Sequence, residues 1–252
     1  SAAFQLRLWR IYLDAWRLAR RRAFDRDAYA LSSWRVLREA VEGAGGTVVL
    51  AGLEWLTQHG GPAVVVANHM SALETVLLPA FLVPFRTVAF VVKRSLERYP
   101  IFGTFLRQLP RIAVTRRRPA EDLRQVLEHG RAYLAEGTSV VLFPQATRTP
   151  EFAPEQFNTL GVKLAGRSGV PVVPLALKTD FYRPGRIVRE WGTVDPRQTV
   201  HFQFGPPLRV VGNGRAAHAA VLEFIGACWR AWQDGGAGEE THDTRFADER
   251  AL

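Results

Sequence analysis

Cysteine is almost missing from this chain of 252 residues, with Cys228 the single example. That excludes an intramolecular disulfide and any multi-cysteine metal site, suits a reducing cytoplasm, and leaves Cys228 to be read as a buried apolar thiol. Long apolar runs are missing too: no stretch reaches the roughly 20 residues that cross a bilayer as a helix, and the first residues lack the charged-then-apolar pattern of a secretory signal. The sequence therefore predicts no membrane span. Acidic residues are scarce beside basic ones, 24 Asp and Glu against 33 Lys and Arg for a net charge of +9. Such a surface suits an anionic partner: phospholipid headgroups, nucleic acid or a phosphorylated metabolite. A basic-aromatic nucleic-acid motif is also lacking, because the aromatics gather near the N-terminus, and no nucleic-acid partner is expected. What the chain does have is 47% apolar side chains, enough for one substantial core.

Residues 4–19 place Arg7, Arg10, Asp14 and Arg17 in one narrow stripe at helical spacing, while Phe4, Leu6, Leu8, Trp9, Ile11, Tyr12, Leu13 and Trp16 cover the other faces. Arg20, Arg21 and Arg22 follow at once. A second helical stretch over 27–41 carries Tyr29, Trp34, Leu37 and Val41 and is ended by Gly43, Gly45 and Gly46. Residues 1–46 thus read as an amphipathic helical hairpin. Its wide apolar face and arginines suit a bilayer interface, and the other reading is a hairpin packed on the domain or on a second subunit.

From Thr47 the pattern changes to short β-branched runs alternating with helical segments, which predicts an α/β domain over 47–233 with a mostly parallel or mixed central sheet flanked by helices. Strands are expected at 48–51, 64–67, 88–92, 112–114, 140–143, 172–177 and 200–204, and helices at 72–82, 99–108, 120–135, 159–167 and 216–232. The last stretch, 234–252, is rich in glycine and charge and reads as a frayed tail.

The chemistry gathers where the strand at 64–67 runs into Asn68-His69-Met70-Ser71-Ala72-Leu73-Glu74 and then an apolar helix. Ser71 followed three residues later by Glu74 is a capping box, in which the Glu reaches back toward the helix start. A carboxylate directed there is directed at the turn that holds His69. It can accept from one imidazole nitrogen and leave the other to take a proton from a substrate hydroxyl. The helix N-terminus beside it is expected to favour an oxyanion or a phosphate through its backbone N–H groups.

These residues resemble the 1-acylglycerol-3-phosphate acyltransferases and their glycerolipid acyltransferase relatives. The first family motif, N-H-x4-D, is matched by Asn68, His69 and Glu74 with Glu in place of Asp. Lys93, Leu96, Pro100 and Gly103 fit K-x2-L-x3-P-x2-G, and the run from Arg111 to Arg116 resembles the strand that ends in the acceptor-binding arginine. In place of F-P-E-G-T-R-S the chain has Phe143-Pro144-Gln145-Ala146-Thr147-Arg148-Thr149, and Val170-Pro171-Val172-Val173-Pro174 follows as the fourth block.

The resemblance implies transfer of a fatty acyl group from acyl-CoA or acyl carrier protein to the free hydroxyl of a lysophospholipid. His69 would be the base and Glu74 its partner. Lys93, Arg116 and Arg148 would bind the acceptor phosphate, and Asn68, Ser71, Gly103, Gln145 and Thr147 would shape the site. No metal, cofactor or covalent acyl-enzyme is implied. The altered third motif keeps other lysolipid acceptors open, a lyso-ornithine lipid or a saccharolipid among them, as well as a non-catalytic lipid-binding relative. The three basic residues each end or follow an expected strand, so they can meet at one edge of a parallel sheet, where open α/β sheets bind ligands; their plain alternative is solvated surface charge. The partners expected are a membrane phospholipid surface, a lysolipid and an acyl thioester. The expected location is peripheral, on the cytoplasmic face of a bacterial inner membrane.

Overall fold

The computed structural model describes residues 2–145, 147–183, 185 and 192–234. Among the described residues, nine strands fall in the order β1 (Val48–Ala51), β2 (Val64–Ala67), β3 (Val88–Lys93), β4 (Arg111–Val114), β5 (Ser139–Leu142), β6 (Val172–Lys178), β7 (Tyr182–Arg183), β8 (Thr193–Val194) and β9 (Val200–Phe204). The helices are α1 (Ala2–Arg20), α2 (Arg26–Arg35), α3 (Leu53–Thr57), α4 (Leu73–Leu82), α5 (Phe102–Leu106), α6 (Pro119–Ala135), α7 (Leu160–Ser168) and α8 (Arg215–Gln233).

Seven strands form one sheet in the order β1-β9-β6-β2-β5-β3-β4, and β7 and β8 form a separate two-stranded ribbon. The run from β6 to β4 is parallel throughout, β9 is antiparallel to β6, and β1 is parallel to β9. The mixed sheet expected from the sequence is therefore present.

Strand residues alternate between two apolar layers, as the two-residue period of a strand requires. Val65, Ala67, Val141, Val173 and Leu175 face a core shared with α1 and α4, whereas Val64, Val66, Val140, Leu142 and Val172 face one built by α6, α7 and α8. With both faces covered, the central strands β2, β5 and β6 are buried on every residue and apolar except for Ser139, which opens β5, and Lys178, which ends β6.

The N-terminal helices are docked on this domain. Phe4, Leu8, Ile11, Ala15 and Ala19 form a buried stripe along α1, with Phe4 ring centroids 6.0 Å from Phe181 and 5.5 Å from Tyr182. Further along α1, Tyr12 meets Phe102 and Phe105, and Phe24 lies 5.3 Å from Phe105. Arg35 pairs with both Asp14 and Glu39, which ties α2 and its extension to α1. Leu6, Trp9 and Leu18 remain exposed away from that stripe.

Two expected helices differ in the structure. The stretch at 99–108 shrinks to α5 preceded by a 3-10 segment Arg94–Arg98, because Tyr99 precedes Pro100 and takes the extended conformation (ψ 133°) that a following proline ring demands. The stretch at 27–41 begins as α2, capped by Asp25 Oδ1 accepting from the Ala28 N–H, then widens into π-helical turns over Val36–Val41 and ends at Gly45 with φ +81°. Residues 235–252 of the expected tail lie outside the described residues.

Candidate active site

The parallel order places four strand exits side by side: β2 leads to His69, β5 to Gln145 and Arg148, β3 ends in Lys93, and β4 leads to Arg116. Asn68 fastens the first exit. Its Oδ1 accepts from the Leu177 N–H and its Nδ2 donates to the Leu177 carbonyl, both at 2.8 Å, so a side-chain amide extends the pairing of β2 with β6 by one rung.

Past Asn68 the chain turns so that His69 Nδ1 lies 2.8 Å from Glu74 Oε1. His69 is 5% exposed and Glu74 0%. A carboxylate so deep survives only when its lone pairs are filled. Oε1 accepts from the Met70 N–H at 2.7 Å and the Ser71 N–H at 2.8 Å, while Oε2 accepts from the hydroxyls of Ser71 and Thr179, each at 2.7 Å. Burial alone would raise the Glu74 pKa. The hydrogen bond and charge of His69, with the two hydroxyls, outweigh it and hold the carboxyl below its ordinary value. Ser71 Oγ also accepts from the Leu73 N–H at 3.0 Å, so the capping box serves the helix and the dyad together. Phe143 stacks on the imidazole with centroids 4.4 Å apart and fixes the ring plane.

The N–H groups of the turn that leads into α4 are committed within the protein: His69 donates to Gln145 Oε1 at 2.7 Å, and Met70 and Ser71 donate to Glu74. In the first turn of α4 itself, the Leu73 N–H donates to Ser71 Oγ.

Arg116 and Arg148 are brought together. Arg116 has a guanidinium pKa lowered by burial first and by the neighbouring Arg148 second, against an opposing pull from Asp122. Two guanidiniums close enough to feel one another in this way have the charge and the donor groups that suit a polyanion. Arg116 sits at φ +59°, a left-handed conformation that costs a side-chain-bearing residue energy. Asp122 from α6 holds it there, with Oδ1 accepting from the Thr115 N–H and Oδ2 from the Arg116 N–H, both at 2.7 Å. Lys93 ends β3 in register with Val114 and is exposed. Thr147 is exposed beside Arg148.

Gly103 serves the loop instead of opening space in it: a Cβ there would lie 2.3 Å from the Glu97 carbonyl oxygen. A narrow apolar cleft of about 40 Å³ lies between the N-terminal helices and α4–α5, lined by Tyr12, Tyr29, Thr75, Val76, Phe102 and Phe105 among others. Thr75 and Val76 directly follow Glu74, so the cleft adjoins the dyad's own helix. Burial first and then Tyr182 raise the Tyr12 hydroxyl pKa while Arg148 pulls it the other way, which puts Arg148 within electrostatic reach of this cleft.

The site thus joins His69 with Glu74, Ser71, Gln145 and Asn68, and joins Arg116 with Arg148. Sequence reasoning missed Thr179, Phe143 as a stacking partner, and Asp122. Only Asp122 left a local signal, an acid in the first turn of a helix shortly after the strand.

The family model described as Acyltransferase matches residues 48–178. A 1-acyl-sn-glycerol-3-phosphate acyltransferase of Pseudomonas aeruginosa is 32% identical over 160 residues, covering 64% of this chain and 59% of that protein. One from Chlamydomonas reinhardtii is 31% identical over 150 residues, covering 56% and 44%. The chain therefore spans less than two thirds of the length of these curated relatives. The crystal structure of the 1-acyl-sn-glycerophosphate acyltransferase PlsC from Thermotoga maritima shares the fold, with a TM-score of 0.62 at 21% identity over 91% of this chain and 98% of that one. With the matched segment running from β1 to the end of β6, and so through both the dyad and the basic strand exits, the chain belongs to the acyltransferase family.

Proposed function

We propose that the protein transfers a fatty acyl group from an acyl thioester, acyl-CoA or acyl carrier protein, to the free hydroxyl of a lysophospholipid, with 1-acylglycerol-3-phosphate the foremost acceptor. The observation that carries this reading is the buried His69–Glu74 pair at the same sheet edge as Arg116 and Arg148. Glu74 accepts from the Nδ1–H and so fixes the tautomer whose Nε2 is free to take a proton. In the proposed step that nitrogen removes the hydroxyl proton as the oxygen attacks the thioester carbonyl. The tetrahedral intermediate collapses with loss of the thiolate, which takes the proton back from the imidazolium. No metal and no acyl-enzyme enters this step. The relatives that carry the name 1-acyl-sn-glycerol-3-phosphate acyltransferase support the acceptor class.

The test is a panel of lysolipid acceptors with labelled acyl-CoA and acyl carrier protein, read by product mass. Failure of every acceptor with both donors overturns the reading. Within it, Arg148→Ala is expected to raise the KM for the phosphate-bearing acceptor about 10- to 100-fold while kcat changes little, the loss of one charge-assisted phosphate contact. An unchanged KM would remove Arg148 from the acceptor site.

The same reading places the protein peripherally at the cytoplasmic face of a membrane. Support comes from the side of α1 turned away from the core, where exposed Leu6 and Trp9 stand among Arg10, Arg17, Arg20 and Arg21. Deleting the hairpin would not test this cleanly, since Phe4 and Ile11 belong to the core. Replacing Leu6 and Trp9 together by serine spares the buried stripe of α1 and removes the edge contact of Trp9 with Tyr12, and vesicle sedimentation with anionic lipid is expected to weaken about tenfold or more while thermal unfolding reports the lost contact. Equal sedimentation of variant and parent would argue that the ridge does not meet lipid.

A further inference from the structure

The loop between β5 and α7 grips the main chain on both sides of the His69 side chain. Gln145 Oε1 accepts from the His69 N–H at 2.7 Å, and the Thr149 N–H donates to the His69 carbonyl at 3.0 Å. The two grips are tied to each other. Gln145 Nε2 donates to Thr149 Oγ1 at 2.7 Å, and that hydroxyl passes its own proton to the Glu151 carbonyl at 2.7 Å. Gln145 is 2% exposed, and both ends of its amide are committed to protein partners. An amide suits this post because it offers an acceptor on one side and a donor on the other without bringing a charge into the interior.

We infer that Gln145 is a positioning residue that sets the location of the catalytic base, and that through it the loop carrying Arg148 and the turn carrying His69 move as one body. The inference rests on the acyl-transfer reading. It assigns the departure from the family's Glu at this position a mechanical role instead of a change in acceptor. An apolar side chain of similar size would strand the His69 N–H and release Thr149. A carboxyl would keep an oxygen for the His69 N–H, and in its protonated form its O–H would replace Nε2 as the donor to Thr149.

Three variants test this. Gln145→Leu is expected to lower kcat about 100-fold, the cost of a base displaced by a fraction of its own width, with the KM for the lysolipid unchanged within about twofold. Gln145→Glu is expected to stay within about tenfold of the parent kcat, because the acceptor for the His69 N–H is retained. Thr149→Val, which removes only the hydroxyl at the far end of the amide, is expected to lose about tenfold in kcat. Hydrogen exchange at the His69 amide supplies a readout that needs no turnover: slow in the parent and the Glu variant, fast in the Leu variant. A Leu variant with parental kcat, a loss that falls on KM alone, an unaffected Thr149→Val, or a His69 amide equally protected in the Leu variant would each overturn the inference. An absence of acyl transfer in the parent would overturn the functional reading instead, and the exchange rates would still decide the role of Gln145.

Discussion

Substituting alanine for His69 is expected to cut acyl transfer by about 10²- to 10⁴-fold, the usual worth of a positioned general base. The fold should survive the change. His69 contributes its stack on Phe143 and one hydrogen bond to Glu74, whereas Glu74 Oε1 keeps the Met70 and Ser71 N–H groups after the ring is gone. The expected loss of stability is about 1–2 kcal/mol, within the range for one hydrogen bond and a small cavity. Steady-state turnover on a lysolipid, alongside thermal unfolding of the same preparation, separates the two effects. Turnover near the parental level in a folded His69→Ala variant would move the base elsewhere and leave the buried carboxylate without a catalytic purpose.

The part of this site that lies within one strand-turn-helix was legible in the sequence. An apolar run of β-branched residues ending at Ala67 fixes where the strand stops, and the three-residue spacing of Ser71 and Glu74 fixes the direction in which the carboxylate points. The structure places Glu74 where that spacing directs it. The order of the basic residues was legible for the same reason, since each follows its own short strand. Contacts made across the sheet were not. Thr179 reaches Glu74 from 105 residues away, and nothing in its neighbourhood distinguishes it from any threonine after a strand. The N-terminal helix was only half legible. Its apolar residues encircle it, and no period in the sequence separates the stripe that becomes core, Phe4 through Ala19, from the ridge of Leu6 and Trp9 that stays outside. That separation is set by Phe181, Tyr182 and Phe105, which lie far along the chain.

Glu74 allows the fold and the chemistry to be varied apart. Glu74→Ala leaves two backbone N–H groups and two hydroxyls, all buried, facing a void. The expected cost is about 3–5 kcal/mol, enough to threaten folding in a domain whose total stability is of order 5–15 kcal/mol. Glu74→Gln should behave differently. Its carbonyl oxygen can keep the Met70 and Ser71 N–H groups, and the Ser71 and Thr179 hydroxyls can rotate to accept from its NH2, so stability should fall by only about 1–2 kcal/mol. What it loses is the charge that stabilises the imidazolium, and with it about 10²- to 10⁴-fold in kcat.

The same comparison has a pH signature. Because the Glu74 carboxyl is held below its ordinary value of 4.5, ionised Glu74 contributes its full stabilisation above that pH, and the contribution drains away as pH falls through the lower folded-state value. Denaturation free energies of the parent and of Glu74→Gln should therefore differ by a constant amount at neutral pH and converge below about 4.5. Other carboxylates act equally on both proteins and cancel in the difference. Two curves that stay parallel through that window would mean that folding does not make Glu74 more acidic, and a carboxylate not held ionised by its surroundings would be no anchor for a catalytic imidazolium.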